Sequence, residues 1–408
     1  MLASSRSVLR LEGFDHFGGT HWESAALAHA LAWEGVTMPG SRRPLSEAMC
    51  FGIAGGLAAG DALAPGRGAR PAVSVVGRHR AASAGPEFVE GALRRLGARA
   101  TVRETGGAHA AEAHLSRALA AGHPAFVWCA PPPMFGLGWA GTFGHHVLLV
   151  HGIDLTRRMA LLAGRARGPL ILPLAELSRL RGRMRAHRRR VLTFTAPARL
   201  GRTMLRRAIV QGIRAGTGDM LRPRPRAHNL PGLAEWSRLI ANPASRRGWP
   251  RVFRGWRLCL ALRDVYDSVE TAGTGGGLFR PLYAGFLQEA ARELRRPRLA
   301  ALARTYVSLG ERWSELARVA LPVRAPSLAQ ARGLLVRRER LVARGGAVLA
   351  ERMDAWRRDM ARAEARMRRF PLDHAEAMAL LTELSERIEE LHAAETRAAR
   401  ELLAAVQS

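Results

Sequence analysis

Apolar and polar residues are spaced differently in the two halves of the chain. Up to about residue 196, two segments with helical spacing come first, and short apolar runs of strand character follow, with two more helical segments between them. The helical segments are 22–33, 47–59, 87–96 and 109–121, and the strand segments are 72–76, 101–104, 125–129, 146–151, 159–163 and 191–195. Two helices followed by a run of strands are typical of an α+β domain rather than of a strict βαβ alternation.

From about residue 197 the apolar residues recur with helical spacing and the strand character disappears. A proline-rich stretch at 221–231 predicts a loop, because proline lacks the backbone N–H that a helix needs. Helices are predicted from there to the end, the last two over 351–368 and 374–406. We therefore predict an α+β domain over residues 1–196 and an all-α domain over residues 197–408.

The chain is strongly basic. It has 63 basic residues, all of them arginine, against 34 acidic ones, which gives a formal net charge of +29. A GC-rich genome would explain arginine in place of lysine but not the excess of base over acid, so the charge favours an acidic partner. Nucleic acid is a poor candidate, because the arginines are spread over both halves, aromatic residues are sparse and no nucleic-acid-binding motif is present.

Three scattered cysteines, Cys50, Cys129 and Cys259, do not suggest a disulfide framework. The N-terminus lacks the apolar core of a secretory signal, and no stretch approaches the roughly 20 apolar residues of a membrane span. We predict a cytoplasmic protein that does not contact the membrane.

Two segments predict helix starts. Thr20 followed three residues later by Glu23 has the spacing of a capping box, which predicts a helix from Trp22 and gives Glu23 a structural role. Ser46 is the predicted N-cap of the second helix. The glycine pair at 55–56 favours close backbone packing over phosphate binding, because no strand precedes it and no P-loop lysine follows.

A third segment carries histidines into a predicted strand. His145 and His146 stand at its start, where an imidazole would be held rigidly enough to act as a general base. A buried histidine bonded to the backbone is the alternative interpretation. His151 lies an odd number of residues beyond His146, so the two would face opposite sides of a strand, and we predict no metal site.

The fourth segment is a glycine-rich stretch, GTGGGLFRPLY, at residues 273–283. Free N–H groups at a helix start, together with the guanidinium of Arg280, could bind an anion. Alternatively, the stretch is a tight turn between helices across which Glu270 pairs with Arg280.

Taken together in this order and spacing, the four segments resemble the butirosin biosynthesis protein H family over roughly residues 10–405. The resemblance implies a papain-like (cysteine-peptidase-like) α+β domain followed by a helical domain of unknown function. It also implies an activity, in which an acyl group passes from a carrier-protein thioester to an amine and forms an amide in natural-product (antibiotic) biosynthesis.

The family's catalytic residues are only partly present in this chain. The family's His-Cys-Glu falls on His21, Trp22 and Glu23, its strand histidine falls on His146, and a later aspartate falls near Ala163. An indole cannot replace a thiolate nucleophile and an alanine cannot orient an imidazole, so transfer through a covalent intermediate on residue 22 is excluded. The predicted catalytic residues are His146, His21 and Glu23, and the predicted substrate-binding residues are Trp22, His145, Asp154, Glu270, Arg280 and Tyr283.

Three hypotheses remain open. The protein could transfer the acyl group directly, with His146 as base, or it could be a pseudoenzyme that serves as a binding scaffold, with Trp22 filling the former oxyanion pocket. In the third, Cys50 has taken over as nucleophile. The implied partners are an acidic acyl carrier protein and a small-molecule amine, and long apolar helices are compatible with a homodimer. No cofactor is expected, since phosphopantetheine would enter only as part of the carrier.

Overall fold

The computed structural model describes residues 8–64, 72–78, 88–136, 146–197, 199–224, 226–346, 348–369 and 372–407. The chain divides into two compact units, each built from separate stretches of sequence. The first contains residues 1–50, 89–205 and 341–353, and the second contains residues 51–88, 206–340 and 354–408. The boundary predicted at residue 197 separates two continuous sequence domains, whereas each of these units contains several stretches of the chain. The predicted boundary therefore stays a prediction.

Helices and strands are interspersed up to residue 195. They are β1 (Val8–Arg10), α1 (Trp22–Trp33), α2 (Glu47–Ile53), β2 (Leu57–Ala64), β3 (Ala72–Arg78), α3 (Phe88–Arg95), β4 (Arg99–Arg103), α4 (Ala108–Ala120), β5 (Ala125–Cys129), β6 (His146–Asp154), β7 (Met159–Ala163), β8 (Leu170–Pro173), α5 (Leu174–Arg183) and β9 (Val191–Thr195).

Beyond β9, every described element is helical. The α-helices are α6 (Arg202–Met220), α7 (Leu230–Ile240), α8 (Trp249–Val252), α9 (Trp256–Tyr266), α10 (Arg280–Leu294), α11 (Pro297–Ala320), α12 (Pro326–Arg344), α13 (Leu349–Met367) and α14 (His374–Gln407). None of the helices in the described part of the chain combines the length and the apolar character that a membrane span requires. An α/β N-terminal region with an antiparallel sheet is therefore followed by an all-helical region.

An antiparallel sheet organises the first unit. Its strands follow the order β4-β9-β5-β6-β7-β8, and β1 pairs with the second half of β6. The continuous apolar run of β5 is buried at every residue, as expected of a central strand, whereas β4 is exposed at every residue and lies at the edge. Helix α1 packs against β6 and is buried nearly all round, which suits its alanine-rich, uniformly apolar sequence.

In the second unit, a β-hairpin packs among helices. Strands β2 and β3 pair antiparallel, β2 contacts α7, and β3 contacts α9. The long helix α14 packs against α7 and α11. The apolar faces of these helices supply the core of the unit.

Most predicted elements are confirmed, and one is corrected. Strands 125–129, 159–163 and 191–195 and helix 22–33 have the predicted bounds. The helix predicted over 47–59 is wrong beyond Ile53, because Gly55 and Gly56 adopt positive φ angles of 115° and 57° that end a helix. The residues after them form β2, which pairs with β3. Strands β1 and β8 and helix α5 had no counterpart in the prediction.

Candidate functional site

A half-buried carboxylate from α2 holds the chain at the start of α1. The backbone N–H groups of Thr20 and His21 donate to the Glu47 carboxylate at 2.8 and 2.7 Å, and the Ser24 hydroxyl donates to it at 3.0 Å. Burial raises the pKa of Glu47, and these hydrogen bonds oppose that shift without cancelling it. Glu47 therefore orders the segment that leads into Trp22.

The cap of α1 differs from the predicted capping box. His21 is the N-cap, and its Nδ1 accepts the N–H of Ser24 at 3.3 Å. The predicted start at Trp22 is confirmed, but the capping box is wrong, because the cap lies one residue beyond Thr20. Glu23 is therefore the second helical residue, not the third that a capping box requires. The predicted N-cap of α2 is confirmed by the Met49 N–H, which donates to the Ser46 hydroxyl at 2.9 Å.

Trp22 is packed into the first unit at the first position of α1. It is 4% exposed, and its ring stacks on that of Phe135 with centroids 4.0 Å apart and planes 24° apart. The guanidinium of Arg165 lies over the indole at 5.6 Å from the ring centroid. A Cβ added at Gly164 would lie 3.0 Å from the ring, so the chain also passes close to the indole edge. An aromatic ring thus occupies the helix start where the resemblance places a cysteine.

His146 lies at the start of β6 and faces the same aromatic pair. Its ring is edge-on to Trp22 at 6.4 Å and edge-on to Phe135 at 6.0 Å. The imidazole is half-buried, and the strand that carries it is fixed by β5 on one side and β7 on the other. The structure therefore brings the helix start and the strand histidine together, which are the two places that the resemblance assigns to nucleophile and base.

The cross-strand neighbour of His146 is a cysteine, Cys129, that no sequence motif connects with the site. Cys129 of β5 is paired in register with His146, and residues directly opposite each other in an antiparallel pair project to the same face. However, Cys129 is completely buried, and burial raises its pKa to about 12. Its thiol stays protonated at neutral pH and is a poor nucleophile.

The remaining polar side chains near α1 are also buried. His21 and Glu23 are 6% and 2% exposed, and the imidazole of His21 serves as the helix cap. His29 donates from Nε2 to the Gly18 carbonyl at 2.8 Å, and burial lowers its pKa. His29 thereby fixes the loop that precedes α1, a role that no sequence pattern indicates.

Two family models match consecutive stretches of the chain. The model for "Butirosin biosynthesis protein H, N-terminal" matches residues 21–165, and that for "Domain of unknown function (DUF4872)" matches residues 174–331. The chain carries the butirosin biosynthesis protein H N-terminal domain. No curated protein matches the chain. The predicted resemblance, including the helical domain after it, is confirmed over these two stretches.

The site described above coincides with the matched protein H domain. His21 is the first matched residue and Arg165 the last, and Trp22, Glu47, Phe135 and His146 all lie between them. The family takes its name from the biosynthesis of butirosin, an antibiotic, which connects the domain with natural-product biosynthesis.

Other predicted residues of the protein H domain lie away from the site or outside the described structure. Asp154 ends β6 eight residues beyond His146, roughly 25 Å along a strand, and its carboxylate accepts the Arg157 N–H at 2.8 Å. Ala163 is buried opposite Leu149, so no carboxylate occupies that position. His145 lies outside the described residues.

The glycine-rich stretch is a strained turn in the second unit. Five consecutive residues, Gly275 to Phe279, have positive φ angles, and Leu278 and Phe279 do so without being glycine. A Cβ on Gly277 would lie 2.7 Å from the Gly310 carbonyl oxygen of α11. The glycines are therefore explained by backbone conformation and close approach.

Arg280 is an element of the core in this structure. Its side chain is fully buried; Nε donates to Glu395 at 2.8 Å, and the two Nη atoms donate to the carbonyls of Leu278 and Ala58 at 2.7 and 2.8 Å. The Trp313 indole N–H donates to the same Glu395 oxygen at 2.8 Å. A guanidinium with these partners is not presented to a substrate, so we assign Arg280 a structural role.

The other two predicted residues of this stretch also have structural surroundings. The alternative of a Glu270–Arg280 pair is wrong, because Glu395 pairs with Arg280, while Glu270 accepts the Gly277 N–H at 3.3 Å. Tyr283 is 1% exposed and its ring is edge-on to Tyr306 at 5.0 Å. Burial raises the pKa of Tyr283.

His151 sits among aromatic rings rather than among metal ligands. It is 5% exposed, stacks on Phe14 at 4.6 Å, and neither ring nitrogen has a hydrogen-bond partner in the described part of the chain. Burial lowers its pKa to about 4. A bulge between Val150 and Gly152 interrupts the strand's alternation, so the odd-spacing argument does not extend to His151. Among the described residues, no group of three or more His, Cys, Asp or Glu side chains could hold a metal ion.

Proposed function

We propose that this protein takes part in natural-product biosynthesis as a scaffold that binds a carrier protein or another biosynthetic partner, without cysteine-based chemistry. One observation carries the proposal: Trp22 occupies the helix start, stacked on Phe135 at 4.0 Å and covered by Arg165. In a papain-like domain this is the place of the nucleophile, whose thiolate the helix N-terminus stabilises. A buried indole there leaves no group that could form a thioester.

The proposed papain-like fold is supported by the placement of α1 and β6. The N-terminus of α1 and the start of β6 lie side by side, as the ring contact between Trp22 and His146 requires. A covalent relay at another cysteine has little support. Cys50 is 0% exposed on α2, and Cys129 is buried with a pKa raised to about 12.

Direct acyl transfer is the second candidate, and the half-exposed imidazole of His146 favours it. In this reaction the amine nitrogen would attack the thioester carbonyl while His146 accepts the proton that the nitrogen loses. The carbon–sulfur bond would then break, and the pantetheine thiolate would take the proton and leave as the thiol. Proximity and general-base catalysis can supply large rate factors without a covalent intermediate.

One experiment separates the two candidates. An acyl carrier protein, loaded in turn with a panel of acyl groups, is incubated with candidate amines and with wild type or His146→Ala, and its mass is followed. The scaffold proposal predicts that the carrier binds both proteins and is unloaded no faster than in buffer. Unloading by wild type with release of an amide, absent from His146→Ala, would replace the scaffold by direct transfer. A carrier that binds neither protein would contradict a carrier-binding role.

A further inference from the structure

A cavity in the second unit lies between the beginning of α12 and the end of α13. It encloses about 640 Å³. The residues on one wall belong to α12, and those on the other belong to α13 or directly follow it; they are Pro326, Ser327 and Gln330, and Arg362, Ala365, Arg366 and Arg369. Pockets that bind small molecules enclose roughly 300–1,000 Å³, so a small molecule would fit here.

Three arginines form most of the α13 wall. Arg362 and Arg366 lie about one turn apart on the helix, so their side chains project from the same face, and Arg369 follows in the turn after the helix. All three are exposed, and the residues that line the cavity include no aspartate or glutamate. This wall therefore concentrates positive charge in one place.

The charge of this wall is only partly neutralised. Arg362 pairs at 2.5 Å with Asp359, whose carboxylate it shares with a second arginine. Arg366 donates instead to the side-chain oxygen of Gln330 at 2.7 Å, a neutral acceptor that orients the guanidinium towards α12 without cancelling its charge. Arg369 forms no ion pair with a carboxylate in the part of the chain that the structure describes. Two guanidinium charges, those of Arg366 and Arg369, thus remain for a ligand.

The α12 wall offers further donors. Ser327 is the second residue of α12, and its hydroxyl has no hydrogen-bond partner within the described residues. The hydroxyl is buried in its present rotamer, and turning it towards the cavity about χ1 would break no hydrogen bond. The helix it begins is 19 residues long, and the start of a helix carries partial positive charge. The two walls therefore combine guanidinium groups, an unpaired hydroxyl and the positive end of a helix.

We propose that this cavity binds the phosphoryl group of a small phosphate-containing molecule. A phosphate monoester carries about −1.5 to −2 charge at neutral pH, which matches the two guanidinium charges that remain without a carboxylate. Its oxygens can accept paired N–H donors from Arg366 and Arg369 and a further hydrogen bond from Ser327. A monocarboxylate has less charge and fewer oxygens, so we expect it to bind less tightly. The proposal does not depend on the scaffold function.

The alternative is a general attraction of anions to a basic chain. Exposed arginines occur elsewhere in the second unit, for example Arg304 and Arg312 on α11, which do not line this cavity. Anions attracted by net charge alone would be held less tightly after the loss of any two exposed arginines. Anions held in the cavity would respond only to the loss of the arginines that line it.

The test compares two double variants of the full chain. Arg366→Gln with Arg369→Gln alters the cavity, and Arg304→Gln with Arg312→Gln removes the same charge from α11. Glutamine is a good helix former, so both variants should fold, and urea unfolding checks this. The probes are phenyl phosphate, inorganic phosphate and benzoate, and titration calorimetry gives the Kd of each.

We expect phenyl phosphate to bind wild type and the α11 variant within about twofold of each other. The cavity variant should bind it at least about tenfold more weakly, since a hydrogen bond to a charged group is worth a factor of this order. Ser327→Ala should weaken binding severalfold without lowering stability, because the hydroxyl has no partner to lose. Tighter binding of phenyl phosphate than of inorganic phosphate would assign the site to an organic phosphate, and equal binding would assign it to free phosphate.

Several results would overturn the proposal. If neither phosphate binds wild type at millimolar concentration, or if the cavity variant binds as tightly as wild type, the cavity is not a phosphate site. If the α11 variant loses as much affinity as the cavity variant, net charge explains the binding. Benzoate that binds as tightly as phenyl phosphate would show that the phosphoryl group is not what the cavity recognises.

Discussion

Replacing Glu47 by glutamine tests whether its carboxylate organises the start of α1. The amide keeps one oxygen, which can retain the bonds from the His21 N–H and the Ser24 hydroxyl at 2.7 and 3.0 Å. The new NH₂ group then faces the Thr20 N–H, and because both groups are donors, the Thr20 N–H loses the acceptor that it has in wild type at 2.8 Å. An unsatisfied buried donor costs about 1–3 kcal/mol. Thr20 and Glu47 are half-buried, which reduces that cost, and relief from burying a charge returns part of it. We expect Glu47→Gln to lower the free energy of unfolding by about 1–2 kcal/mol, and Glu47→Ala by more.

Hydrogen exchange followed by mass spectrometry measures the local loss of protection at the affected amides, and urea unfolding measures the change in the free energy of unfolding. Peptides that contain Thr20 and His21 should exchange faster in Glu47→Gln, while peptides from α14 should not change. Glu112→Gln is the control, because Glu112 bonds to Arg158 at the surface and such pairs contribute less than about 1 kcal/mol. Unchanged exchange at Thr20 and His21 would refute the role assigned to Glu47.

The same variant has a defined pH dependence. Because burial raises the folded-state pKa of Glu47 above its ordinary value of 4.5, the folded state binds this proton more tightly than the unfolded state does. The contribution to stability is complete below the unfolded pKa and is lost as the pH rises through the folded pKa. The wild-type minus Glu47→Gln difference in unfolding free energy should therefore decrease as the pH rises above 4.5.

Three further substitutions follow from buried groups. Because the folded-state pKa of His151 is lowered to about 4, wild type should lose up to about 3 kcal/mol of stability as the pH falls from 6.5 towards 4. His151→Leu should remove this loss. Unfolding curves of the variant that keep the wild-type pH dependence would contradict the prediction. Glu395→Ala leaves the Arg280 charge buried without its partner and should cost about 3–5 kcal/mol in urea unfolding, so a loss below 1 kcal/mol would contradict the pairing. Gly277→Ala should cost at least about 2 kcal/mol, since it adds a clash with the Gly310 carbonyl to backbone strain. Its control, Gly13→Ala, has a similar positive φ but open space, and an equal cost for both would refute the clash.

Elements with a regular pattern could be predicted from the sequence. The apolar run of β5 and the alanine-rich α1 have their predicted bounds, because burial on all sides leaves a continuous apolar signal. The helix predicted through 59 failed where two glycines change the chain direction, and β2 gains its strand character only by pairing with β3. Strand β8 is four residues long, too short to carry a periodic signal.

The site could be predicted only in part, for a similar reason. The resemblance placed His21, Trp22 and His146, and the structure brings the last two into ring contact at 6.4 Å. Phe135 and Arg165, which enclose the indole, lie far from Trp22 in sequence and have no motif of their own. Glu47 belonged to a matched segment, but its bonds to a loop 26 residues earlier depend on the tertiary structure. Arg280 looked like an anion ligand because its partner, Glu395, lies 115 residues away.

The central claim is that Trp22 stands where a nucleophile would be, so that no acyl group is held covalently. The most direct test measures the intact mass of this protein, as wild type and as Trp22→Cys, after incubation with an acyl-loaded carrier protein. Wild type is predicted to gain no mass. Folded Trp22→Cys is predicted to gain the mass of the acyl group, and the double variant Trp22→Cys with His146→Ala is predicted not to gain it. An acyl adduct on wild type, mapped to Cys50, Cys129 or Cys259, would contradict the account.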